Sequence, residues 1–302
     1  MLSNNNLAYQ RIQGGFGNQL FQICAGIFIA NVNRNKKLYV DCNDSIFSAK
    51  LSNNSKYLRL KKICKLIMLK EDFNKLNFPT TFITILNRLL LRTNSLFKKH
   101  YLNSLNNKDD YTLSTPFSYL ITGYLQDYKY VEKTINKNSG DKFYGYYKNT
   151  FPFSPKDNSL LLHFRYYPKD GFSIKECVKP DFYKECINNI ISKNIKYLYI
   201  STDCELSINA ILTLLKLEDN NFKEVIDLRP LTQKMEVDEL LTFLSTFPTI
   251  LLSNSTFSWW IGYFASKFKG ANVIAPSNKW LQEGYVHPWT DFPIKIDIFN
   301  WI

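Results

Sequence analysis

The sequence predicts an α/β protein in two domains, each built on a doubly wound parallel sheet. Three observations predict it: a strand, glycine loop and helix near the N-terminus; strands alternating with helices through the second half; and a polar, proline-bearing break between the halves. A chain of 302 residues suits two domains of roughly 150 residues each. The break at Asn149-Thr-Phe-Pro-Phe-Ser-Pro-Lys-Asp-Asn158 places the boundary between 152 and 153, giving domains 1–152 and 153–302.

In the first domain, Leu7-Ala-Tyr-Gln-Arg-Ile-Gln13 reads as a strand that runs into Gly14-Gly-Phe-Gly-Asn-Gln19. An apolar segment from Leu20 to Ala30 follows, with Leu20, Ile23, Cys24 and Ile27 at helical spacing and Phe21 and Phe28 on another side. A largely buried helix is expected. Lys37 to Asp41 supplies a second strand, so the unit is β-α-β with a right-handed crossover. The loop is not a dinucleotide fingerprint, because Leu20 stands where the third glycine belongs. Gly15, Phe16, Gly17 and Asn18 still offer backbone N–H groups and a carboxamide to an anion or sugar. A tight turn that uses glycine for positive φ explains the same residues equally well. Residues 44–113 carry Lys/Asn-rich turns around two apolar helical patches, Leu58 to Leu69 and Phe82 to Leu91. Phe117 to Gly123 reads as a strand entering Tyr124-Leu-Gln-Asp-Tyr-Lys-Tyr130, where the polar and aromatic residues fit either a sugar site or a packed surface loop.

The second domain centres on Ser159-Leu-Leu-Leu-His-Phe-Arg165, an apolar strand that ends in histidine and arginine. Open α/β sheets bind ligands beyond the carboxyl ends of their strands. Arg165 is therefore placed for a phosphate, to which its planar fork can make two charge-assisted hydrogen bonds; taken alone, it could instead pair with a surface carboxylate. Lys196 to Asp203 is a strand ending in hydroxyls and a carboxylate, followed by a helix through Leu206, Ile208, Ile211, Leu212 and Leu215. Further strands are expected at Phe222 to Ile226, Thr249 to Ser253 and Ala271 to Ala275, with helices at Val237 to Leu244 and Asn254 to Ser266. The junction Ser253-Asn-Ser-Thr-Phe-Ser258 offers a cap, free first-turn N–H groups and closely spaced hydroxyls, the pattern of an anion-binding helix N-terminus. Phe257, Trp260, Ile261, Phe264 and Ala265 share one helical face and are read as core.

Composition excludes several classes. Hydrophobic residues make up 45%, with 23 Phe and 19 Tyr, so the chain is not of disordered type. Six cysteines show no Cys-x-x-Cys pair or close Cys/His cluster, which argues against zinc and a compact disulfide framework. No run of about 18 apolar residues and no leader pattern appears, so a cytoplasmic protein is expected. The formal charge of +12 attracts nucleic acid, anionic lipid or phosphorylated ligands. No compact aromatic-basic motif supports nucleic acid, and none is expected as a partner. Peripheral contact at the cytoplasmic face of a membrane bearing a lipid-linked glycan is a further expectation.

Together, Gly14-Gly-Phe-Gly-Asn-Gln-Leu-Phe-Gln22, Gly123-Tyr-Leu-Gln-Asp127, His163-Phe-Arg165, Ser201-Thr-Asp203, Asn254-Ser-Thr-Phe-Ser-Trp-Trp260 and Ile274-Ala-Pro-Ser-Asn-Lys-Trp280 resemble glycosyltransferase family 11, the α-1,2-fucosyltransferases. The resemblance runs in order across nearly the whole chain. It implies a GT-B fold with two Rossmann-like domains facing a central cleft, the first on the acceptor side and the second binding the nucleotide sugar. It also implies GDP-fucose as donor, a galactose-containing glycan as acceptor, inversion at the anomeric carbon, and neither cofactor nor metal. Two positions depart from the family: Tyr166 replaces a second arginine after Arg165, and Cys204 replaces the last carboxylate of a Ser-Asp-Asp string.

Carried onto this chain, the resemblance gives nucleotide-sugar contacts at Gly15, Phe16, Gly17, Asn18, His163, Arg165, Thr202, Asp203, Asn254, Ser255, Thr256 and Ser258. Arg165 and Asn18 would act on the reacting groups. Asp170 is the first candidate for general base, with Glu176 and Asp127 as alternatives. A related transferase using another nucleotide sugar, and a catalytically silent glycan- or nucleotide-binding protein, are the competing readings.

Overall fold

The computed structural model describes residues 7–12, 14–32, 37–41, 53–68, 73–75, 102–104, 111–114, 118–122, 125–165, 178–191, 194–217, 221–280 and 297–302. The chain divides into two compact units, Met1–Asn136 and Lys137–Ile302.

In the N-terminal unit the elements are β1 (Leu7–Arg11), α1 (Phe16–Val32), β2 (Leu38–Asp41), α2 (Asn53–Ile67), β3 (Phe73–Lys75), β4 (Leu102–Ser104), β5 (Tyr111–Ser114), β6 (Ser118–Thr122) and α3 (Tyr128–Thr134). The strand order is β3-β2-β1-β6-β5-β4. β1 runs parallel to β2 and β6, as the β-α-β reading requires. The far side adds an antiparallel β4-β5-β6 meander, because the three residues between Ser114 and Ser118 are too few for a parallel crossover. Helix α1 is buried nearly all round, from Gln19 to Ile27 without interruption. It lies tight on the sheet at Gly26, where an added Cβ would stand 2.0 Å from Gln10 Oε1 and 2.9 Å from Leu38. Gln10 Nε2 in turn donates to Gln22 O at 2.6 Å, tying β1 to the helix. The expected patch from Leu58 falls on α2, whereas Phe82 to Leu91 lies outside the described residues.

The C-terminal unit contains α4 (Gly140–Tyr147), a 3-10 turn (Lys148–Thr150), β7 (Ser159–Phe164), α5 (Pro180–Ile191), β8 (Tyr197–Thr202), α6 (Ile208–Leu214), β9 (Glu224–Asp227), α7 (Arg229–Thr232), α8 (Val237–Leu244), β10 (Thr249–Leu251), α9 (Thr256–Lys269), β11 (Asn272–Ala275), a second 3-10 turn (Asn278–Trp280) and β12 (Asn300–Trp301). All six strands are parallel, in the order β12-β11-β10-β7-β8-β9. That is the Rossmann order, with the chain reversing its direction of winding between β7 and β10. One face of the sheet packs Leu160, Leu162, Leu198 and Ile200 against Phe182, Cys186 and Ile187 of α5 and Ile211 and Leu212 of α6. On the other, Tyr199 meets Phe247 with ring centroids 5.0 Å apart, and Gly262 brings α9 so close that an added Cβ would meet Leu252, Val273 and Phe299 at 2.8–2.9 Å. The sheet is thus doubly wound.

The division after Asn136 falls ahead of the expected 152/153 boundary, because α4 belongs to the C-terminal core. Phe143, Tyr144 and Tyr147 are buried there. Tyr147 donates to Asp238 Oδ2 at 2.7 Å, and the Tyr144 hydroxyl lies 3.2 Å from the carbonyl oxygens of Ser245 and Phe264. The prolines at 152 and 155 mark only the approach to β7. The expected aromatic face is core: Trp260, Ile261, Phe264 and Ala265 are fully buried, as is Trp259, which stacks on Tyr263. Burying each such side chain contributes roughly 1.5–3 kcal/mol. The helix starts with Ser255 as cap and stops at Gly270, whose φ of 66° suits glycine, after Lys267 and Lys269 in its electronegative last turn. Among the described residues, no helix is long and apolar enough to cross a membrane.

Candidate functional site

The reversal between β7 and β10 makes the carboxyl ends of those two strands a topological switch point, the usual ligand position in an open α/β sheet. His163 and Arg165 arrive there from β7, Thr202 and Asp203 from β8, and Ser253 to Ser258 from the β10–α9 junction. Register fixes the first two pairs, since His163 is level with Ser201 and Phe164 with Thr202. The sequence-predicted residues of this half therefore gather at one edge of one sheet.

Three hydroxyls of the junction, those of Ser253, Ser255 and Ser258, already have partners within the protein. Ser255 Oγ accepts the Ser258 backbone N–H at 3.0 Å, which caps α9. Ser253 and Ser258 hydroxyls lie 2.8 Å apart, and both reach His163 Nδ1, Ser253 at 3.3 Å and Ser258 in a very short contact. With Nδ1 bare, a hydroxyl donates to it and Nε2 bears the proton. Burial, and secondarily the Arg165 charge, push the His163 pKa down to about 3, so the ring is neutral near pH 7. Phe257, read from the sequence as core, is only half-buried and sits with its ring 5.9 Å from that of His163. Asn254 is buried and Thr256 half-buried at the start of α9, where first-turn N–H groups favour an anion.

Asp203 keeps a solvent-facing surface, yet its carboxyl is held above the usual range: crowding by surrounding protein outweighs the attraction of Arg165 and a hydrogen bond from its own backbone N–H. Thr202 turns inward. Its Oγ1 donates to Cys204 Sγ at 3.0 Å and accepts the Cys204 N–H at 3.1 Å. Cys204, at the position where the resembling family carries a carboxylate, packs in the apolar cluster with α6.

A further pair was not anticipated from the sequence. Asp227 at the end of β9 accepts Arg229 Nε at 3.0 Å and Nη2 at 2.7 Å, while Arg229 Nη1 donates to the carbonyls of Cys204 at 2.9 Å and Leu206 at 2.8 Å. Burial alone would raise the Asp227 pKa, but the hydrogen bonds from Arg229 outweigh it and hold it below the usual range. The only signal in the sequence is an Asp-x-Arg-Pro string just after a strand.

In the N-terminal unit the winding reverses between β1 and β6, and the glycine loop lies at that point. Gly14 has φ 78° and Gly15 is exposed, with no atom within 4 Å of an added Cβ. Gln19 closes the turn through its side chain, donating to Gly14 O at 2.7 Å. Phe16 and Gly17 begin α1, and Asn18 Oδ1 accepts Gln126 Nε2 at 2.9 Å. Asp127 is occupied otherwise: it is buried, and its Oδ1 accepts the Lys129 N–H at 2.8 Å as the cap of α3. That geometry removes it as a candidate base. Asp170 and Glu176 lie outside the described residues.

A separate cavity of about 670 Å³ opens at the amino edge of the C-terminal sheet, lined by Asn158, Tyr197 and Thr249 among others. None of the sequence-predicted residues lines it.

No family model matches the chain, and no curated protein matches it. Solved structures similar to it include the fucosyltransferase NodZ from Bradyrhizobium (10% identity, TM-score 0.42, 88% of this chain and 96% of that one). POFUT1 in complex with GDP-fucose is similar at 9% identity and TM-score 0.45, covering 89% of this chain and 96% of that one. The E. coli ADP-heptose lps heptosyltransferase II is similar at 12% identity and TM-score 0.46, covering 98% and 90%. At TM-scores below 0.5, such likeness assigns neither chemistry nor residues.

Proposed function

We propose that the chain is an inverting glycosyltransferase that moves L-fucose from GDP-fucose to a galactoside hydroxyl, a galactoside 2-α-L-fucosyltransferase working without a metal. The observation that carries this reading is the convergence of Arg165, His163, Asp203 and the N-terminus of α9 at the switch point of a Rossmann-ordered sheet. The motif resemblance supplies the particular donor and acceptor.

In this reading the acceptor hydroxyl attacks C1 of the sugar in a single displacement, and the nucleotide diphosphate leaves from the opposite face. Negative charge grows on the departing phosphate. Arg165 and the first-turn N–H groups of α9 stabilise it, each such preorganised donor contributing about 2.7–4 kcal/mol to the transition state. His163, neutral and fixed by Ser253 and Ser258, presents its ring to the nucleotide. Asp203 pairs with the base or with Arg165. Gly15 to Asn18 offer backbone and carboxamide donors to the sugar, and Asp170 takes the acceptor proton.

A second reading, transfer from a different nucleotide sugar, is favoured by Cys204, whose buried thiol stands where the resembling family has a carboxylate. Incubation with GDP-fucose and a panel of β-galactosides in EDTA, with NMR of any new linkage, tests both. An α-1,2 product supports the first reading. No product together with no calorimetric binding of GDP-fucose overturns it in favour of another donor, and binding without turnover of any acceptor identifies a silent binder.

A further inference from the structure

The loop that carries Asp203 lies outside the regular elements, so side-chain contacts set its course. It leaves β8 after Thr202, and residues 203–207 belong to no helix or strand before α6 begins at Ile208. Its backbone carbonyls at Cys204 and Leu206 are both taken by Arg229 Nη1, at 2.9 and 2.8 Å. The same guanidinium is fixed from behind by Asp227, through Nε at 3.0 Å and Nη2 at 2.7 Å, and Asp227 Oδ1 also accepts the Arg229 backbone N–H at 2.9 Å. The ladder between β8 and β9 extends to this point, since Leu228 N–H donates to Ile200 O at 3.0 Å. One planar fork thus joins the end of β9 to two carbonyls beyond the end of β8. A lysine cannot reproduce this, because a single ammonium lacks the fixed divergent donors that serve carboxylate and carbonyls together.

We infer that Arg229, seated on Asp227, is a positioning residue for the nucleotide-sugar site: by pinning Cys204 and Leu206 it sets where Asp203 stands. The inference rests on the function proposed above. A brace needed only for folding would make bonds of the same kind, so the consequence that separates the two is coupling to Asp203. Asp203 is adjacent to the first pinned carbonyl, and a displaced carboxylate loses a hydrogen bond to the bound donor of the kind that is worth about tenfold or more in binding.

The experiment measures the donor KM and kcat, with GDP-fucose and the acceptor found above, for wild type, Arg229→Lys, Asp203→Asn and the double variant, alongside hydrogen exchange of the 201–207 segment. The expected result is a donor KM raised about tenfold or more in Arg229→Lys, kcat at saturating donor changed less than about threefold, and faster exchange in 201–207 with α9 unchanged. The double variant should be no worse than Asp203→Asn alone, because both changes act on one contact. Additive effects, or an unchanged KM in Arg229→Lys, would overturn the inference while leaving the proposed function intact. Should Arg229→Lys fail to fold, Asp227→Asn replaces it, with the same direction of change expected and the same outcomes overturning the inference. A wild-type protein that binds no GDP-fucose overturns the functional reading and this inference with it.

Discussion

Gln126 Nε2 donates to Asn18 Oδ1 at 2.9 Å, so the carboxamide of Asn18 is orientated by a residue between β6, the strand beside β1, and α3. Oxygen towards Gln126 means that the two N–H donors of Asn18 point elsewhere. Asn18→Asp keeps an acceptor for Gln126 but removes those donors and adds a charge. The thermal midpoint should change by no more than about 4 °C, the shift expected of a change of about 1 kcal/mol. The rate of sugar transfer should fall by about 10² or more. Near-normal turnover in Asn18→Asp would remove Asn18 from the reacting groups.

Arg165 is the group on which the proposed chemistry leans most. It stands one residue beyond β7, half-buried, and its charge reaches both His163 and Asp203. Arg165→Ala should lower kcat by about 10² or more, because the charge it opposes is greatest in the transition state. Arg165→Lys should recover only part of the loss, since an ammonium cannot grip two phosphate oxygens in one plane. Single-turnover rates at saturating donor give the comparison, and equal rates for Arg165→Ala and wild type refute the role.

His163 makes stability depend on pH in a defined window. Its pKa is about 3 in the folded protein, against about 6.5 in an unfolded chain. Between those values the unfolded state binds the extra proton, so stability falls as pH drops below about 6.5 and is insensitive to this group above it. The thermal midpoint of wild type should therefore fall steadily from pH 6.5 to 4. In His163→Gln, which keeps a polar side chain near Ser253 and Ser258, the slope should be shallower. Equal slopes would place the acid sensitivity elsewhere.

Much of the C-terminal unit was legible because β7, β8 and β10 are apolar runs followed by a helical period, as strands buried on both faces of a parallel sheet are, whereas the two-residue β12 carries no such signal. The gathering of Arg165, Asp203 and the α9 junction also follows, since strand ends in such a sheet share one edge. The internal partners of the hydroxyls were not legible: only geometry shows Ser255 capping α9 and Ser258 bonded to His163. Asp127 misled, as a carboxylate free in sequence that is the N-cap of α3 in space. Arg229 was invisible because its partners in the loop after β8 lie more than twenty residues away, with nothing in spacing or composition to join them. Pro152 and Pro155 announce a turn, whereas the compact division after Asn136 follows where Phe143 and Tyr147 are buried.

Cys204 tests whether the difference from the resembling family's pattern is one of packing or of chemistry. The thiol is 7% exposed, lies among Ile211, Leu212 and Leu215, and accepts from Thr202 Oγ1. A carboxylate placed there by Cys204→Asp loses its water and gains the Thr202 hydroxyl, nearby backbone and a share of the Arg229 charge, which Asp227 already engages. An uncompensated buried charge costs about 3–5 kcal/mol, so Cys204→Asp should be destabilised by about that much in urea unfolding at pH 7. Its loss should shrink on acidification, as the buried carboxyl takes up a proton that the unfolded chain still lacks. Cys204→Ser, smaller in volume change and neutral, should cost no more than about 2 kcal/mol. If Cys204→Asp is instead as stable as wild type and binds the nucleotide sugar more tightly, the position faces the ligand, and the thiol marks a changed donor preference.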